Sequence, residues 1–276
     1  MKIISLLFGI FAGCISVPFA CAADYTWNGG NASWTDSGAW LLDGSSADWI
    51  NGNTALFRTG STLTVGSGIS ASGLLYEGAA VTLNGGSLTL AGSASGSNGG
   101  SATLSGTALT LNSTNQEDGW TVRDTSLSGS STLTKTGNGT VALSGTHTAN
   151  GAWNINEGTL VFTGTRDITG GGQINIASGA VLDASGGRLF HAANYASNWE
   201  QPTITLNGGT LKLNQFGYNS ASLGCLQNNF YALKFSSGTT SRVVISQGYE
   251  SGGTGSRGIY IAGWGTTAVI ELGANQ

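Results

Sequence analysis

Two short segments, each preceded by a glycine-containing corner, constrain the fold of this chain most strongly. Residues 140–143 (TVAL) follow Asn138-Gly139. Residues 159–162 (TLVF) follow Glu157-Gly158. Neither segment is long enough to form a sheet with two covered faces. The pattern therefore predicts units of a repeating, stacked β structure.

A similar short sequence motif recurs along the chain with small changes. Residues 81–90 (VTLNGGSLTL) are nearly repeated at 204–213 (ITLNGGTLKL), and 174–182 (INIASGAVL) are a third version. The glycines at 139, 158 and 179 are about 20 residues apart, which suits one coil of a solenoid. We therefore predict an all-β parallel β-helix. A β-sandwich of antiparallel hairpins is the alternative, because Asn-Gly corners also favour hairpins.

Composition excludes several classes of protein. Only 9% of the residues are charged, whereas an ordinary soluble domain has about 25%. Eight Trp, nine Phe and seven Tyr argue against disorder. The net charge is −4 and the 10 basic residues are scattered, so the sequence indicates no nucleic-acid partner.

Residues 1–22 are predicted to be a secretory signal peptide. Lys2 precedes an apolar run over 3–11, and Ala20-Cys21-Ala22 suits cleavage. The run is too short to span a membrane, so no membrane-spanning segment is expected. As an alternative, 11–14 (FAGC) resembles a lipoprotein lipobox in which Cys14 would be acylated. After signal removal only Cys225 remains, which excludes an internal disulfide and favours an inert buried thiol.

The start of the mature chain is rich in tryptophan. Trp27, Trp34, Trp40 and Trp49 lie within residues 25–57. Because the terminal unit of a solenoid must cover an otherwise open core, we predict an N-terminal cap over 23–60 and a repeat region over 61–276.

This opening and a later motif resemble the autotransporter-associated β-strand repeat proteins. The opening reads TWNGGNASWTDSGAW and then ADWINGNTALF, with Asn53 where the family has Asp. The later motif is KTGNGTVALSG at 135–145, followed by NEGTLV at 156–161. The resemblance implies a right-handed parallel β-helix exported to the bacterial surface.

Two segments that interrupt the repeats carry the candidate ligand contacts. Their aromatic rings could stack on sugars, which supports the alternative of a carbohydrate-binding or polysaccharide-cleaving β-helix. The apolar spacing at 223, 226 and 230 also allows a short helix. The candidate residues are Tyr195, Trp199, Tyr218 and Tyr231.

The sequence contains no convincing catalytic, cofactor or metal site. Glu117-Asp118 is the only adjacent acidic pair, and it is more typical of a solvated loop. Residues 253–258 (GTGSRG) match a dinucleotide fingerprint by letter but precede a strand-like segment, not a helix. His147 and His191 are too few for a zinc site and are interpreted as surface or loop residues.

These observations predict an exported structural β-helix that acts in adhesion or cell-envelope contact and is not an enzyme. Surface glycans or other cell-surface proteins are the expected partners, and no cofactor is expected. We expect an extracellular or outer-membrane-surface location, with a periplasmic or lipid-anchored protein as the alternative. Because the sequence stops at Gln276, just past a strand, it is either released alone or a truncated passenger; an uncapped last coil would favour self-association.

Overall fold

The chain forms β-strands throughout the part that can be described. The computed structural model describes residues 22–28, 30–114, 119–166, 172–189, 203–213, 215–216, 225–226, 232–246, 260–262 and 267–272. Within these residues there is no helix, and hence none long and apolar enough to cross a membrane.

The strands are short and are numbered in chain order. They are β1 (Asp24–Trp27), β2 (Trp40–Leu42), β3 (Ser45–Ala47), β4 (Asn53–Phe57), β5 (Ser61–Thr64), β6 (Ile69–Glu77), β7 (Ala80–Asn84), β8 (Ser87–Leu90), β9 (Ala94–Ser97), β10 (Ser101–Ser105), β11 (Ala108–Asn112), β12 (Trp120–Val122), β13 (Thr125–Ser128), β14 (Thr132–Thr136), β15 (Thr140–Leu143), β16 (Thr146–His147), β17 (Trp153–Ile155), β18 (Thr159–Phe162), β19 (Thr165–Arg166), β20 (Gln173–Ile176), β21 (Val181–Asp183), β22 (Thr203–Leu206), β23 (Thr210–Leu213), β24 (Gln215–Phe216), β25 (Cys225–Leu226), β26 (Ala232–Phe235), β27 (Thr240–Ile245), β28 (Tyr260–Ala262) and β29 (Thr267–Leu272).

Each strand pairs with the equivalent strand of the next coil. One stack runs β8, β11, β14, β17, β20, β22, β26 and β28, and a second runs β9, β12, β15, β18, β21, β23, β27 and β29. A third stack runs β5, β7, β10 and β13. All of these pairings are parallel, which confirms the parallel β-helix and excludes the hairpin sandwich.

The core is a set of ladders in which one side chain per coil points inward. In the third stack, Leu63, Leu83, Leu104 and Leu127 occupy equivalent positions and are each at most 1% exposed. Their neighbours along each strand point outward, because side chains alternate across a strand. The outward positions are mostly Thr, Ser and Asn, so a chain with few charges still has a hydrogen-bonding surface.

Coil length changes part-way along the chain. Leu133 pairs with Trp153 and Trp153 pairs with Ile174, which matches the predicted repeat of about 20 residues. Ile174 then pairs with Ile204, so this coil is longer by roughly half. The extra length falls in the segment predicted to interrupt the repeats.

The N-terminal end is closed by an aromatic cluster and by antiparallel strands. Trp34 and Trp40 are fully buried, and their ring centroids lie 4.9 Å apart. Strand β1 pairs in parallel with β4 and antiparallel with β2, which in turn pairs with β3. At the third stack, the backbone N–H of Trp34 donates to the Thr64 carbonyl at 2.9 Å. The Trp-rich cap is therefore confirmed: it covers β5, the first strand of the third stack, and its strand β4 pairs with β6, which covers β8 and β9.

One local prediction needs correction. Cys225–Leu226 is a strand that pairs in parallel with Gln215–Phe216, so the helical spacing was misleading at that position. At the corner before β15, the predicted glycine-containing turn is present, and Gly137 has the left-handed backbone there (φ 74°). Only glycine adopts such a conformation at low cost, so Gly137 makes the turn.

Candidate functional site

The ligand contacts predicted from sequence lie outside the described residues. This applies to Tyr195, Trp199, Tyr218 and Tyr231. It also applies to the Glu117-Asp118 pair, to His191 and to the segment 253–258. None of these positions is therefore placed by the structure.

The described residues instead bring an unexpected group of basic side chains into the core of two adjacent coils. Lys135, His147 and Arg166 each have no exposed surface. Charged residues are almost never fully buried unless other groups satisfy them. The group is the strongest candidate for a special role, so its geometry is described residue by residue.

Lys135 occupies an inward position of β14, between Leu111 of the previous coil and Ile155 of the next. Its ammonium nitrogen donates to three backbone carbonyl oxygens, those of Thr136 at 2.8 Å, Gly137 at 2.7 Å and Glu157 at 3.2 Å. We call these three oxygens the carbonyl cradle. Burial lowers the pKa of Lys135 to about 8, and the nearby charge of Glu157 opposes this shift.

The cradle is built by close contact between two successive corners. The Gly137 N–H donates to the Glu157 carboxylate at 2.9 Å. A Cβ atom on Gly158 would lie 2.4 Å from the Gly139 oxygen and 2.5 Å from the Gly137 oxygen. A side chain on Gly158 would push the two corners apart. The carbonyl cradle of Lys135 therefore depends on a glycine at position 158.

His147 is not the surface or loop residue that the sequence suggested. It lies in β16, and its ring is in edge-on contact with Trp153 at 5.6 Å and close to Phe162 at 5.8 Å. The Leu127 N–H donates to its Nδ1 atom at 3.3 Å, which requires an unprotonated Nδ1. Burial lowers the pKa of His147 to about 4; a backbone hydrogen bond with Ser144 raises it, and Arg166 lowers it further.

Arg166 pairs with His147 across β16 and β19. Its guanidinium carbon lies 4.7 Å from the ring centroid of Trp153, a cation–π contact. One terminal nitrogen donates to the Gly151 carbonyl at 2.9 Å. The guanidinium therefore ties the corner before β17 to the indole that follows it.

Lys135 and Arg166 direct their cationic groups at backbone carbonyl oxygens inside the core. These carbonyl oxygens cannot take up or release a proton near neutral pH. Within the described ranges, no three His, Cys, Asp or Glu side chains come together in a way that could hold a metal ion. The observed contacts support a role in holding coils in register.

The sequence held one overlooked signal of this site. In β14 the pattern Leu133-Thr134-Lys135 places Lys135 at an apolar position of the alternation. A lysine at such a position predicts a buried amine that needs carbonyl partners. No comparable signal marks Arg166, because its strand is only two residues long.

Residues 133–162 match the family model of the passenger-associated-transport-repeat. This confirms the resemblance to autotransporter passenger repeat proteins, which the β-helix also fits. The matched repeat contains Lys135, Gly137, Gly158 and His147, whereas Arg166 lies four residues beyond it. Comparison with curated proteins and with solved structures gave no significant match.

Proposed function

We propose that the protein is an exported β-helix displayed at the bacterial surface, where it acts in adhesion or cell-envelope contact without catalysis of its own. The observation that carries the proposal is the passenger-associated-transport-repeat inside a continuous parallel β-helix. A stacked solenoid gives a long, rigid and mostly neutral surface. Such a surface suits many weak contacts with neighbouring surface molecules.

The location is tested first, with the full chain in its own cells. We expect antibodies to label intact cells and external protease to remove the protein without lysis. Labelling that appears only after the outer membrane is permeabilised would mean a periplasmic protein and would contradict surface display. Cys14→Ser tests the lipid anchor, because an anchored protein would leave the membrane fraction in this variant.

Adhesion is tested with a deletion strain. We expect loss of attachment to other cells or to surfaces, and recovery when the wild-type gene is restored. Unchanged attachment in cells confirmed to display the protein would contradict the adhesion proposal.

The longer coils favour a second candidate, binding or cleavage of carbohydrate. Ile174 pairs with Ile204, and the residues added between them include Tyr195 and Trp199. A glycan array should show binding that Trp199→Ala abolishes and Trp199→Phe largely keeps, since a flat ring is what stacks on a sugar. Activity on pectin-like polymers that Glu117→Gln removes would instead indicate an enzyme.

A further inference from the structure

The coil corners contain several Asn-Gly pairs, and the structure divides them into two kinds. An Asn-Gly pair is the sequence most prone to spontaneous deamidation, because the glycine nitrogen can reach the asparagine side chain without hindrance. That reaction requires the glycine N–H to lose its proton and its peptide plane to rotate. A hydrogen bond from this N–H to the next coil opposes both steps.

Four pairs have this protection. The glycine N–H donates to a neighbouring coil in each, at 2.9–3.0 Å. The bonds are Gly52 to the Ser70 carbonyl, Gly85 to the Ser105 carbonyl, Gly139 to the Ser113 carbonyl and Gly208 to the Ser241 hydroxyl.

The pair Asn98-Gly99 is different. Both residues have left-handed backbones, with φ of 51° and 78°, and the Gly100 N–H donates to the Ser97 carbonyl at 2.8 Å. This is a two-residue turn of type I′, which leaves the Gly99 N–H at its tip. Among the described residues no acceptor is recorded for that N–H, and nothing lies within 4 Å of where a Gly99 Cβ would be.

Solvent exposure of the asparagine does not explain the difference between Asn98-Gly99 and the four protected pairs. Asn138 is exposed like Asn98, yet its following glycine is held by Ser113. Asn150-Gly151 is an intermediate case. Its glycine packs closely on the Ser131 carbonyl, and the Gly151 carbonyl accepts a hydrogen bond from the buried Arg166.

We propose that Asn98 is a modification site at which the folded protein deamidates spontaneously, while the four Asn-Gly corners whose glycine N–H donates to a neighbouring coil are protected by coil stacking. The Gly99 nitrogen attacks the Asn98 Cγ atom, and the side-chain amide leaves as ammonia with the proton from that nitrogen. The resulting succinimide is opened by water to aspartate or isoaspartate. The product carries one extra negative charge.

The test is an incubation of the full native chain in mildly alkaline buffer, followed by peptide mapping with mass spectrometry. We expect conversion at Asn98 to be at least about tenfold faster than at Asn84, Asn138 or Asn207, because the latter react only after local opening. In denaturant the difference between these sites should disappear. Asn98→Gly keeps a turn of two left-handed residues and should remove the fast acidic charge variant.

Two results would overturn the proposal. One is equal conversion of Asn98 and Asn138 in the folded protein. The other is a native protein whose Asn98 stays intact on the timescale in which the denatured chain reacts.

Discussion

Coils with the same backbone contain two different cores. At the third stack the inward ladder is Leu63, Leu83, Leu104 and Leu127, but the next two coils place His147 and Arg166 in the core there. In the first stack, Leu90 and Leu111 are followed by Lys135 and then by Ile155. The comparison is therefore between the leucine coils and two adjacent coils with buried basic side chains, which have nearly identical strand pairing.

The difference teaches that the ladder tolerates a buried cation only where the corners supply acceptors. An unpaired buried charge costs several kcal/mol, whereas hydrogen bonds to carbonyls offset this cost. Lys135 has three such acceptors and Arg166 has the Gly151 carbonyl and the Trp153 face. The leucine coils need no such acceptors because their inward side chains are uncharged.

The largest effect is expected from moving the lysine one coil back. Leu111→Lys would place an ammonium at the position equivalent to Lys135. There, the nearby Ser113 carbonyl already accepts from the Gly139 N–H. We expect a loss of about 5 kcal/mol in the free energy of unfolding, measured by urea titration followed by tryptophan fluorescence. Leu111→Met is the control and should cost less than about 1.5 kcal/mol. If the two variants were equally stable, the cradle would not be what permits Lys135.

A smaller loss should follow from a side chain inside the cradle. Gly158→Ala places a Cβ against two carbonyl oxygens and should cost about 4 kcal/mol in unfolding free energy. Gly179 is the matched control, because it also has a positive φ (76°) but has open space where its Cβ would lie. Gly179→Ala should cost only about 1 kcal/mol. Similar costs for both would show that close approach of the corners is unimportant.

Removal of the cation itself is expected to cost slightly less. Lys135→Ala deletes three hydrogen bonds and leaves their carbonyls buried, for a loss of about 3 kcal/mol by the same unfolding assay. Lys212→Ala is the surface control; its 3.6 Å pair with Asp183 is partly exposed and should contribute under about 1 kcal/mol. A Lys135→Ala variant as stable as wild type would contradict the structural role of the cradle.

The smallest effect is a pH dependence that leucine coils should lack. The pKa of His147 is lowered to about 4 from an ordinary value near 6.5, so between these values the unfolded chain binds more protons than the folded one. Stability from this group is therefore complete above the unfolded pKa and is lost as pH falls through the window. From pH 7 to pH 5 the loss should be about 2 kcal/mol.

His147→Leu continues the leucine ladder and isolates this contribution. The variant should lose less stability than wild type over the same pH range in parallel urea titrations. If both chains changed equally, the acid sensitivity would come from other groups.

Much of this architecture was readable from the sequence, for a physical reason. Each parallel coil places apolar residues at the same inward positions. Segments such as 81–90 and 204–213 therefore have similar sequences. The tryptophan-rich N-terminal segment could be predicted to be a cap because the unit that covers the end of a solenoid differs from the repeats. His147 was misjudged because its strand has two residues, too few to show an alternation.

The sequence by itself determined the repeating β-helix, its glycine corners and its aromatic cap, since these depend on local alternation and on turn residues. Only the tertiary structure decided which glycine turns each corner and which cations are buried. It also decided which Asn-Gly pairs are held by the next coil. Each of these depends on contacts between adjacent coils, whose positions are fixed only when one coil stacks on another.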